Sequence, residues 1–314
     1  MKKVCVIGNL NVDIIVGRFT ELPQWGREKI TDCLEVTVAG QVGYTAKALA
    51  NLGFDVNIIA NVGDDYYGHF ILQELGKINV NVEGINVLQN IPTGVTIAII
   101  NQQGERAFIS YLGSMKYFGE KDIKKNWDLI RKSDYVVFNG YFLLPSFNFD
   151  VAKALFSKIQ KMGKRVAFDT GWDPDDWPPE HINQVKELLS YVDVFLPNLD
   201  EARVLTHKTN LNNMLEALNK WGPSVVAVKM GEKGSVAMRN GKIFQQNSFK
   251  VKVNHTTGAG DTFNAGFIYG LMNKWSLNET LKFANAFASL YISGENAVYP
   301  EVKEIWQFIR EYGK

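Results

Sequence analysis

Short apolar runs alternate with segments of helical spacing along most of the chain, and their order indicates the fold class. Residues 4–8 and 56–62 are mostly apolar, as in buried strands of a parallel sheet. Between them, 39–53 reads AGQVGYTAKALANLG, which predicts a glycine turn, a helix and a glycine stop. Further strands are predicted at 135–139, 165–169, 192–196 and 225–229, and helices at about 151–162, 180–190 and 279–292. Strands that alternate with helices predict a parallel sheet covered on both faces.

Four extended segments interrupt this alternation. Residues 14–38 contain extended pieces on either side of a proline and glycine turn, and polar and apolar positions alternate towards the end. A second pair, 95–100 and 107–111, is joined by a polar turn at 101–104. These segments either extend the main sheet or form a small sheet of their own, and the pattern is compatible with both.

The segment 254–266, NHTTGAGDTFNAG, joins a loop of small residues to an apolar series at helical spacing. Backbone N–H groups in the first turn of a helix lack intrahelical partners and carry partial positive charge, so this loop favours an anion such as phosphate. Asp261 would repel a bound phosphate unless a metal or a reacting hydroxyl lay between them. A catalytic base that accepts the proton of an attacking hydroxyl meets this condition. The common alternative is a helix cap after a tight turn.

Composition and charge argue against several classes of protein. The 314 residues are 46% apolar, enough for a substantial core, and 34 basic side chains balance 33 acidic ones. This balance argues against binding nucleic acid or an anionic membrane through bulk charge. No apolar run resembles a signal peptide or a membrane span, so we expect a cytoplasmic protein. Cys5, Cys33 and four scattered histidines indicate neither a disulfide framework nor a zinc site, and we expect both cysteines to be packing residues.

The run 257–261 in this setting resembles the C-terminal signature of the ribokinase-like (PfkB) carbohydrate kinase family, and 39–53 resembles its N-terminal signature. The resemblance implies an α/β fold, the ribokinase-like three-layer α/β/α arrangement with a mostly parallel central sheet plus a small β-sheet lid over the sugar. The lid would comprise 13–38 and 92–112. Because such lids often dimerise, the resemblance also implies a homodimer formed through the lid. The α/β domain, which would bind nucleotide and substrate, would comprise 1–12, 39–91 and 113–314.

The resemblance also implies a kinase that uses ATP and Mg²⁺ to phosphorylate a hydroxymethyl group of a sugar or sugar-like substrate. Asp261 would be the general base, and the amides of Gly258, Ala259, Gly260 and Asp261 would hold the moving phosphoryl group. Asp13, which follows the first strand, would hold substrate hydroxyls, although an aspartate beside asparagine is also a common turn residue.

The predicted substrate contacts depart from the family pattern. The usual glycine pair appears as Ala39 and Gly40, and Tyr44 stands where the family usually has asparagine. A tyrosine brings a flat face and one hydroxyl, which favours a substrate with an aromatic base or a larger body unless the ring packs elsewhere. His255 replaces an aspartate that helps to hold an activating monovalent cation in many relatives. Because imidazole is a poor ligand for potassium, we expect no strong potassium activation.

Two further elements match the family's nucleotide and metal sites. Asn198 and Glu201 form an Asn-x-x-Glu element whose side chains would act on magnesium and phosphate, whereas alone they would be read as a helix cap. Gly231 and Gly234 lie in a loop that resembles the family's nucleotide loop. Lys229 would either meet a phosphate or point to solvent.

One helical residue and one loop are left with two interpretations each. Asn285 either lines an adenine pocket, as the resemblance implies, or packs between helices. The loop 170–179, TGWDPDDWPP, either touches substrate through Trp172 or Asp173 or is a rigid surface turn.

Three rival functions follow from the same residues. A nucleoside kinase of the same family is favoured by Tyr44, and a sensor of sugar or nucleotide would keep the fold without turnover. The intact Asp261 argues against the sensor, since a binding protein needs no base. Neither Gly-x-x-x-x-Gly-Lys-Ser/Thr nor Gly-x-Gly-x-x-Gly occurs, which argues against a P-loop site and against a dinucleotide dehydrogenase.

Overall fold

The computed structural model describes residues 2–294 and 298–313. The strands are β1 (Lys3–Gly8), β2 (Asn11–Phe19), β3 (Cys33–Ala39), β4 (Asp55–Gly63), β5 (Ile85–Leu88), β6 (Val95–Asn101), β7 (Arg106–Tyr111), β8 (Tyr135–Asn139), β9 (Arg165–Asp169), β10 (Val194–Phe195), β11 (Val225–Lys229), β12 (Ser235–Arg239) and β13 (Lys242–Gln246). The helices are α1 (Gly40–Asn51), α2 (Tyr66–Lys77), α3 (Glu120–Lys125), α4 (Trp127–Lys132), α5 (Phe149–Lys161), α6 (Pro179–Leu188), α7 (Leu199–Thr206), α8 (Leu211–Lys220), α9 (Ala259–Met272), α10 (Leu277–Ser293) and α11 (Val302–Tyr312).

Across the described residues, nine strands form the main sheet in the order β13-β12-β11-β10-β9-β8-β1-β4-β5. All neighbours pair in parallel except β11 with β12 and β12 with β13, which pair antiparallel. Neighbouring residues of β1 point to opposite faces, so that Val4 and Val6 join one buried core and Cys5 and Ile7 join the other. Helices cover both cores, which confirms the predicted three-layer arrangement.

The second sheet, called the lid sheet here, has the order β3-β2-β6-β7. Its formation confirms that the four extended segments build a separate sheet. The register places Thr37, Asp13, Thr96 and Ser110 side by side on one face. The neighbouring row, Val36, Ile14, Ile97 and Ile109, belongs to the other face, because adjacent residues of a strand alternate. The first row is polar and the second is apolar, and the two faces of the lid sheet are called its polar and apolar faces after these rows. The domain boundaries given above stay a prediction.

Local expectations were wrong at two places. The strand expected at 192–196 is limited to Val194–Phe195, although Val192 and Leu196 are buried beside it. Cys5 is buried in the core as expected, but Cys33 is exposed because it begins β3 at the outer edge of the lid sheet. Among the described residues, no helix has the length and apolar character needed to cross a bilayer.

Candidate active site

A cleft of about 1190 Å³ lies where the carboxyl edge of the main sheet meets the polar face of the lid sheet. Ligand pockets are typically about 300–1,000 Å³, so this cleft has room for two ligands side by side. Every predicted site residue lines it, namely Asp13, Gly40, Tyr44, Asn198, Glu201, Lys229, Gly231, Gly234, Gly258, Ala259, Gly260, Asp261 and Asn285. It is also lined by residues that sequence reasoning did not single out, among them Asn9, Gln41, Thr96, Arg106, Ser110 and Asp169.

The glycine loop enters α9 at Gly258, which has a left-handed conformation with φ of 78°. A Cβ atom at this position would also lie 2.6 Å from Cδ1 of Tyr44, so both the backbone and the packing require glycine. The N–H of Ala259 donates to the carbonyl of Thr256 at 3.3 Å. No acceptor within the described chain takes the N–H groups of Gly258, Gly260 and Asp261. This turn therefore offers three donors for an anion, rather than the four predicted.

Asp261 lies in the first turn of α9 with its side chain buried at the cleft. Burial raises the pKa of this carboxyl well above its usual value, and the negative charge of Asp169 raises it further, against the opposing effect of Lys229. A carboxylate whose pKa is raised is a stronger base.

A buried ion pair supports the same corner of the cleft. The Nζ of Lys229 lies 2.5 Å from Oδ2 of Asp169, and the lysine side chain is only 14% exposed. Asn264 of α9 accepts from Lys229 through Oδ1 at 3.2 Å and donates through Nδ2 to Asp169 at 2.6 Å. Lys229 therefore points into the site and not to solvent. Asp169 carries the signal that identified Asp13, a polar residue at the carboxyl end of a buried strand, and the same rule could have found it.

Asn198 and Glu201 form a reciprocal cap at the start of α7. The Asn198 side chain accepts from the N–H of Glu201, and Oε2 of Glu201 accepts from the N–H of Asn198, both at 2.8 Å. The helix-cap interpretation is thus correct, and it leaves Oε1 of Glu201 without a hydrogen bond from the described residues. Burial raises the pKa of Glu201 to about 7, with a contribution from Asp169 and an opposing one from Lys229.

The lid end of the cleft centres on Asp13. Its Oδ1 accepts from Nδ2 of Asn11 at 3.0 Å, and its Oδ2 accepts from the hydroxyl of Tyr44 at 3.1 Å. Burial raises the pKa of Asp13 to about 6 despite these two hydrogen bonds, which lower it. Gly40 lies beside this group with φ of +72°, where a Cβ atom would lie 2.4 Å from the carbonyl oxygen of Asn9. Asp13 is therefore part of a buried polar network and not a surface turn residue.

Tyr44 packs between the two ends of the cleft. Its ring lies against Gly258, and its hydroxyl is taken by Asp13. The hydroxyl of Tyr299 donates to the Tyr44 carbonyl oxygen at 3.2 Å, and the Tyr299 and Tyr291 rings stack with centroids 4.6 Å apart. Tyr44 thus belongs to an aromatic cluster that supports the glycine loop from behind.

The opposite end of the cleft is formed by the loop around Gly231 and Gly234 and by Asn285 of α10. The Asn285 side chain accepts from Ser235 Oγ at 2.8 Å and donates to the carbonyl oxygens of Gln246 and Asn247 at 3.1 Å. It therefore ties α10 to the edge of the main sheet instead of packing between helices, and because it also lines the cleft, its place in an adenine pocket stays a prediction.

The two candidate residues of the loop 170–179 lie in different surroundings. Trp172 lines the cleft, whereas Asp173 is buried away from it, with Oδ2 2.7 Å from Nδ1 of His181.

On the other side of the site, burial lowers the pKa of His255, and the centroid of its ring lies 4.8 Å from that of Tyr291 in an edge-to-face contact. His255 is accordingly a packed ring whose charged form is disfavoured by burial.

Comparison with known proteins gives one consistent result over the whole chain. Residues 1–304 match the family described as pfkB family carbohydrate kinase. A ribokinase of Arabidopsis thaliana is 30% identical over 318 aligned positions, which cover 97% of this chain and 80% of that protein. A 5-dehydro-2-deoxygluconokinase of Clostridium tetani is 26% identical and covers 87% of this chain and 84% of its own length. The structure of Arabidopsis thaliana ribokinase complexed with ribose and ATP has a TM-score of 0.83 at 26% identity and covers 98% of this chain and 99% of that one.

Proposed function

Because the chain belongs to the pfkB family of carbohydrate kinases, we propose that it transfers the terminal phosphoryl group of ATP to a hydroxymethyl group of a sugar or sugar-like acceptor. One observation carries this proposal. The Asp261 carboxylate lies in the same helical turn as three N–H donors that have no acceptor among the described residues, so a proton acceptor and an anion site occupy one corner of the cleft.

Asp261 is proposed to act as the general base. It accepts the proton of the acceptor hydroxyl while that oxygen attacks the phosphorus atom. The raised pKa of Asp261 brings its basicity closer to that needed near neutral pH. The N–H groups of Gly258, Gly260 and Asp261 stabilise the charge on the moving phosphoryl group, with the Lys229 ammonium held nearby by Asp169.

The charge of the site fits magnesium. Asp169, Glu201 and Asp261 are three buried carboxyl groups around one ammonium, Lys229. Burial and the charge of Asp169 raise the pKa of Glu201 and of Asp261, so ionisation of all three calls for a further cation. Glu201 also presents a carboxylate oxygen without a hydrogen bond from the described residues, and magnesium prefers such oxygen ligands. Glu201 would hold the ion, which supplies charge neutralisation for the phosphates when bound.

Replacing Glu201 with glutamine is expected to raise the Mg²⁺ concentration needed for half-maximal rate by about 10–100-fold. Glutamine keeps the cap of α7, because its side-chain oxygen can also accept from the N–H of Asn198. Asp200→Asn is the matched control, since Asp200 is the neighbouring carboxylate on the same helix but is exposed and paired with Arg203. An unchanged magnesium requirement in Glu201→Gln would exclude this role.

Binding of the acceptor is expected to weaken about tenfold per pH unit as the pH falls below about 6. Asp13 must be ionised to accept hydrogen bonds from acceptor hydroxyls, and its pKa of about 6 means that it takes up a proton in that range. Calorimetric titration of the Asp261→Asn variant with acceptor measures binding without turnover and without the second carboxylate. Asp13→Asn in the same background should bind weakly at every pH. If Asp261→Asn, in which Asp13 is intact, bound the acceptor equally well at every pH, the role of Asp13 would be contradicted.

The packing of Tyr44 favours a sugar over a nucleoside. Its hydroxyl donates to Asp13, its ring lies against Gly258, and the Nζ of Lys47 lies 4.8 Å from the ring centroid, so that only 5% of Tyr44 is exposed for a base to stack on. A sensor without turnover would have no use for a buried carboxylate with a raised pKa beside the anion site.

The apolar face of the lid sheet supports a homodimer. Its residues include Leu34, which is 69% exposed, Ile109, which is 62% exposed, and Ile97. Monomeric proteins rarely leave a contiguous apolar sheet face in water, and a second copy would cover it. Light scattering should give twice the chain mass of 35.4 kDa, and a monomer would contradict the proposal.

The experiment that tests the function is ADP release from magnesium ATP across a panel of sugars, sugar acids, sugar phosphates, polyols and nucleosides. Release that depends on one class of acceptor, together with a phosphorylated product identified by mass, supports the kinase and names its acceptor class. Tight binding of ATP without acceptor-dependent ADP release would favour the sensor.

A further inference from the structure

The polar face of the lid sheet carries one cation among the described lid residues that line the cleft, and this is Arg106 at the start of β7. Its Nη1 donates to Oγ1 of Thr257 at 3.2 Å, although the two residues are 151 positions apart in the chain. The guanidinium group therefore reaches from the lid sheet to Thr257, the residue directly before the glycine loop, where the substrate that accepts the phosphoryl group must lie.

The donors of Arg106 are largely unused. A guanidinium group has five N–H donors in a planar fork, and within the described chain only the contact with Thr257 is a hydrogen bond. No carboxylate of the described residues lies within 4.0 Å of it. A planar fork with free donors matches a carboxylate or a phosphate, which it can bind through two parallel hydrogen bonds.

Arg106 and Asp13 divide the lid end of the cleft into two regions. Ser110 of β7 lies in the same row as Asp13, and Arg106 precedes it by four residues on the same face. Four residues of a strand span about 13 Å of backbone. The Arg106 side chain comes close enough for its charge to act on the Asp13 carboxylate but forms no hydrogen bond with it, so a group that suits hydroxyls and a group that suits a negative charge lie next to each other. The nearby Lys47 cannot supply that charge, because its Nζ donates to the Val38 carbonyl oxygen at 2.7 Å and the side chain does not line the cleft.

The transferred phosphoryl group is a less suitable partner for Arg106. The corner where that group must lie already contains the free N–H groups of α9 and the Lys229 ammonium, all from the main domain. A Cβ atom at Gly260 would lie 3.8 Å from the Nζ of Lys229, which places this ammonium against the anion loop.

We propose that Arg106 binds an anionic group at one end of the acceptor, so that the substrate is a polyhydroxylated chain with a carboxylate or phosphate, that is, a sugar acid or a sugar phosphate. This inference rests on the proposed kinase function and narrows its acceptor. Arg106 sets acceptor specificity, while Asp13 orients the hydroxyls.

The test compares matched acceptors by calorimetry in the absence of nucleotide. Aldonates and ketoaldonates of five and six carbons are paired with the alditols of the same length, and sugar phosphates with the parent sugars. A charge-assisted hydrogen bond contributes enough to bind the anionic member of a pair about 10–100-fold more tightly. The two arms distinguish a carboxylate from a phosphate.

Arg106→Gln should remove this preference and change binding of the neutral members less than about threefold. Arg106→Lys, which keeps the charge without the fork, should be intermediate. Arg18→Gln is the matched control, because Arg18 also reaches from the lid to the main domain, donating to the Asn254 carbonyl oxygen at 2.9 Å, but does not line the cleft. It should keep the preference for the anion.

Three results would overturn the inference. The first is that the native protein binds the anionic and neutral acceptors of a pair equally, or binds neither. The second is that Arg106→Gln keeps the preference for the anionic acceptor. The third is that Arg106→Gln lowers kcat equally for the anionic and the neutral acceptor. The last would assign Arg106 to the transferred phosphoryl group. Tight, Arg106-dependent binding of an anionic acceptor without ADP release would instead overturn the proposed kinase function and leave this inference standing.

Discussion

Replacing Asp261 with asparagine is expected to lower kcat by about 10²–10⁴-fold, the usual contribution of a general base. Asparagine has nearly the same shape but cannot accept the proton of the attacking hydroxyl. The N–H donors of the α9 turn remain, so the dissociation constant for magnesium ATP should change little. The fold should not be weakened, since burial already disfavours the charged form of Asp261. Single-turnover kinetics and ATP titration measure the two effects separately.

Asp122→Asn is a suitable control for that substitution. Asp122 is also a buried aspartate, but it binds Asn86 and the N–H of Gly119 outside the cleft. Its replacement should leave kcat per folded molecule unchanged. A near-native kcat in Asp261→Asn would show that another group takes the proton.

Replacing Lys229 with methionine is expected to lower the free energy of unfolding by about 3–5 kcal/mol, because the Asp169 carboxylate would remain buried without its cation. The same substitution should lower kcat, since it removes the ammonium next to the anion loop. Denaturant titration measures the first effect, and steady-state kinetics on the folded fraction measures the second.

The double variant separates stability from catalysis. Asp169→Asn with Lys229→Met removes both members of the ion pair and leaves only Glu201 and Asp261, in which burial already disfavours the charged form, so part of the lost stability should return while kcat stays low. Lys153→Met is the matched control, because Lys153 and Glu187 are also 2.5 Å apart but their side chains are 39% and 49% exposed. That exposed pair should contribute little to stability. Full recovery of kcat in the double variant would mean that Lys229 serves the fold alone.

The sequence predicted the parts of the site that depend on one segment. Gly258 to Asp261 form one turn of one helix, and both glycine motifs placed the chain in its family. The sequence did not predict the hydrogen-bonded network of Asp169, Lys229 and Asn264. Its members come from β9, β11 and α9, and only the strand order brings them together. Arg106 gave no signal, since its position depends on the register of the lid sheet.

Tyr44 shows a different limit of sequence reasoning. Its position in the family pattern was clear, but whether the ring faced a substrate or the protein depended on its neighbours. Gly258 leaves space for the ring, and Asp13 accepts from its hydroxyl. Both neighbours lie far from Tyr44 in the chain, so the choice was decided by tertiary packing.

During synthesis on the ribosome, each strand of the main sheet can pair soon after it emerges. From β1 outward, β4 and β5 follow on one side, and β8 to β13 follow on the other in the order of the chain. The lid sheet likewise grows outward from β2. Among the strands of the described residues, none must enter between two that have already paired, so the nascent chain does not have to reopen a formed sheet. The turn that carries Asp261 emerges only after the last strand, so the scaffold can be complete before its reactive carboxylate arrives.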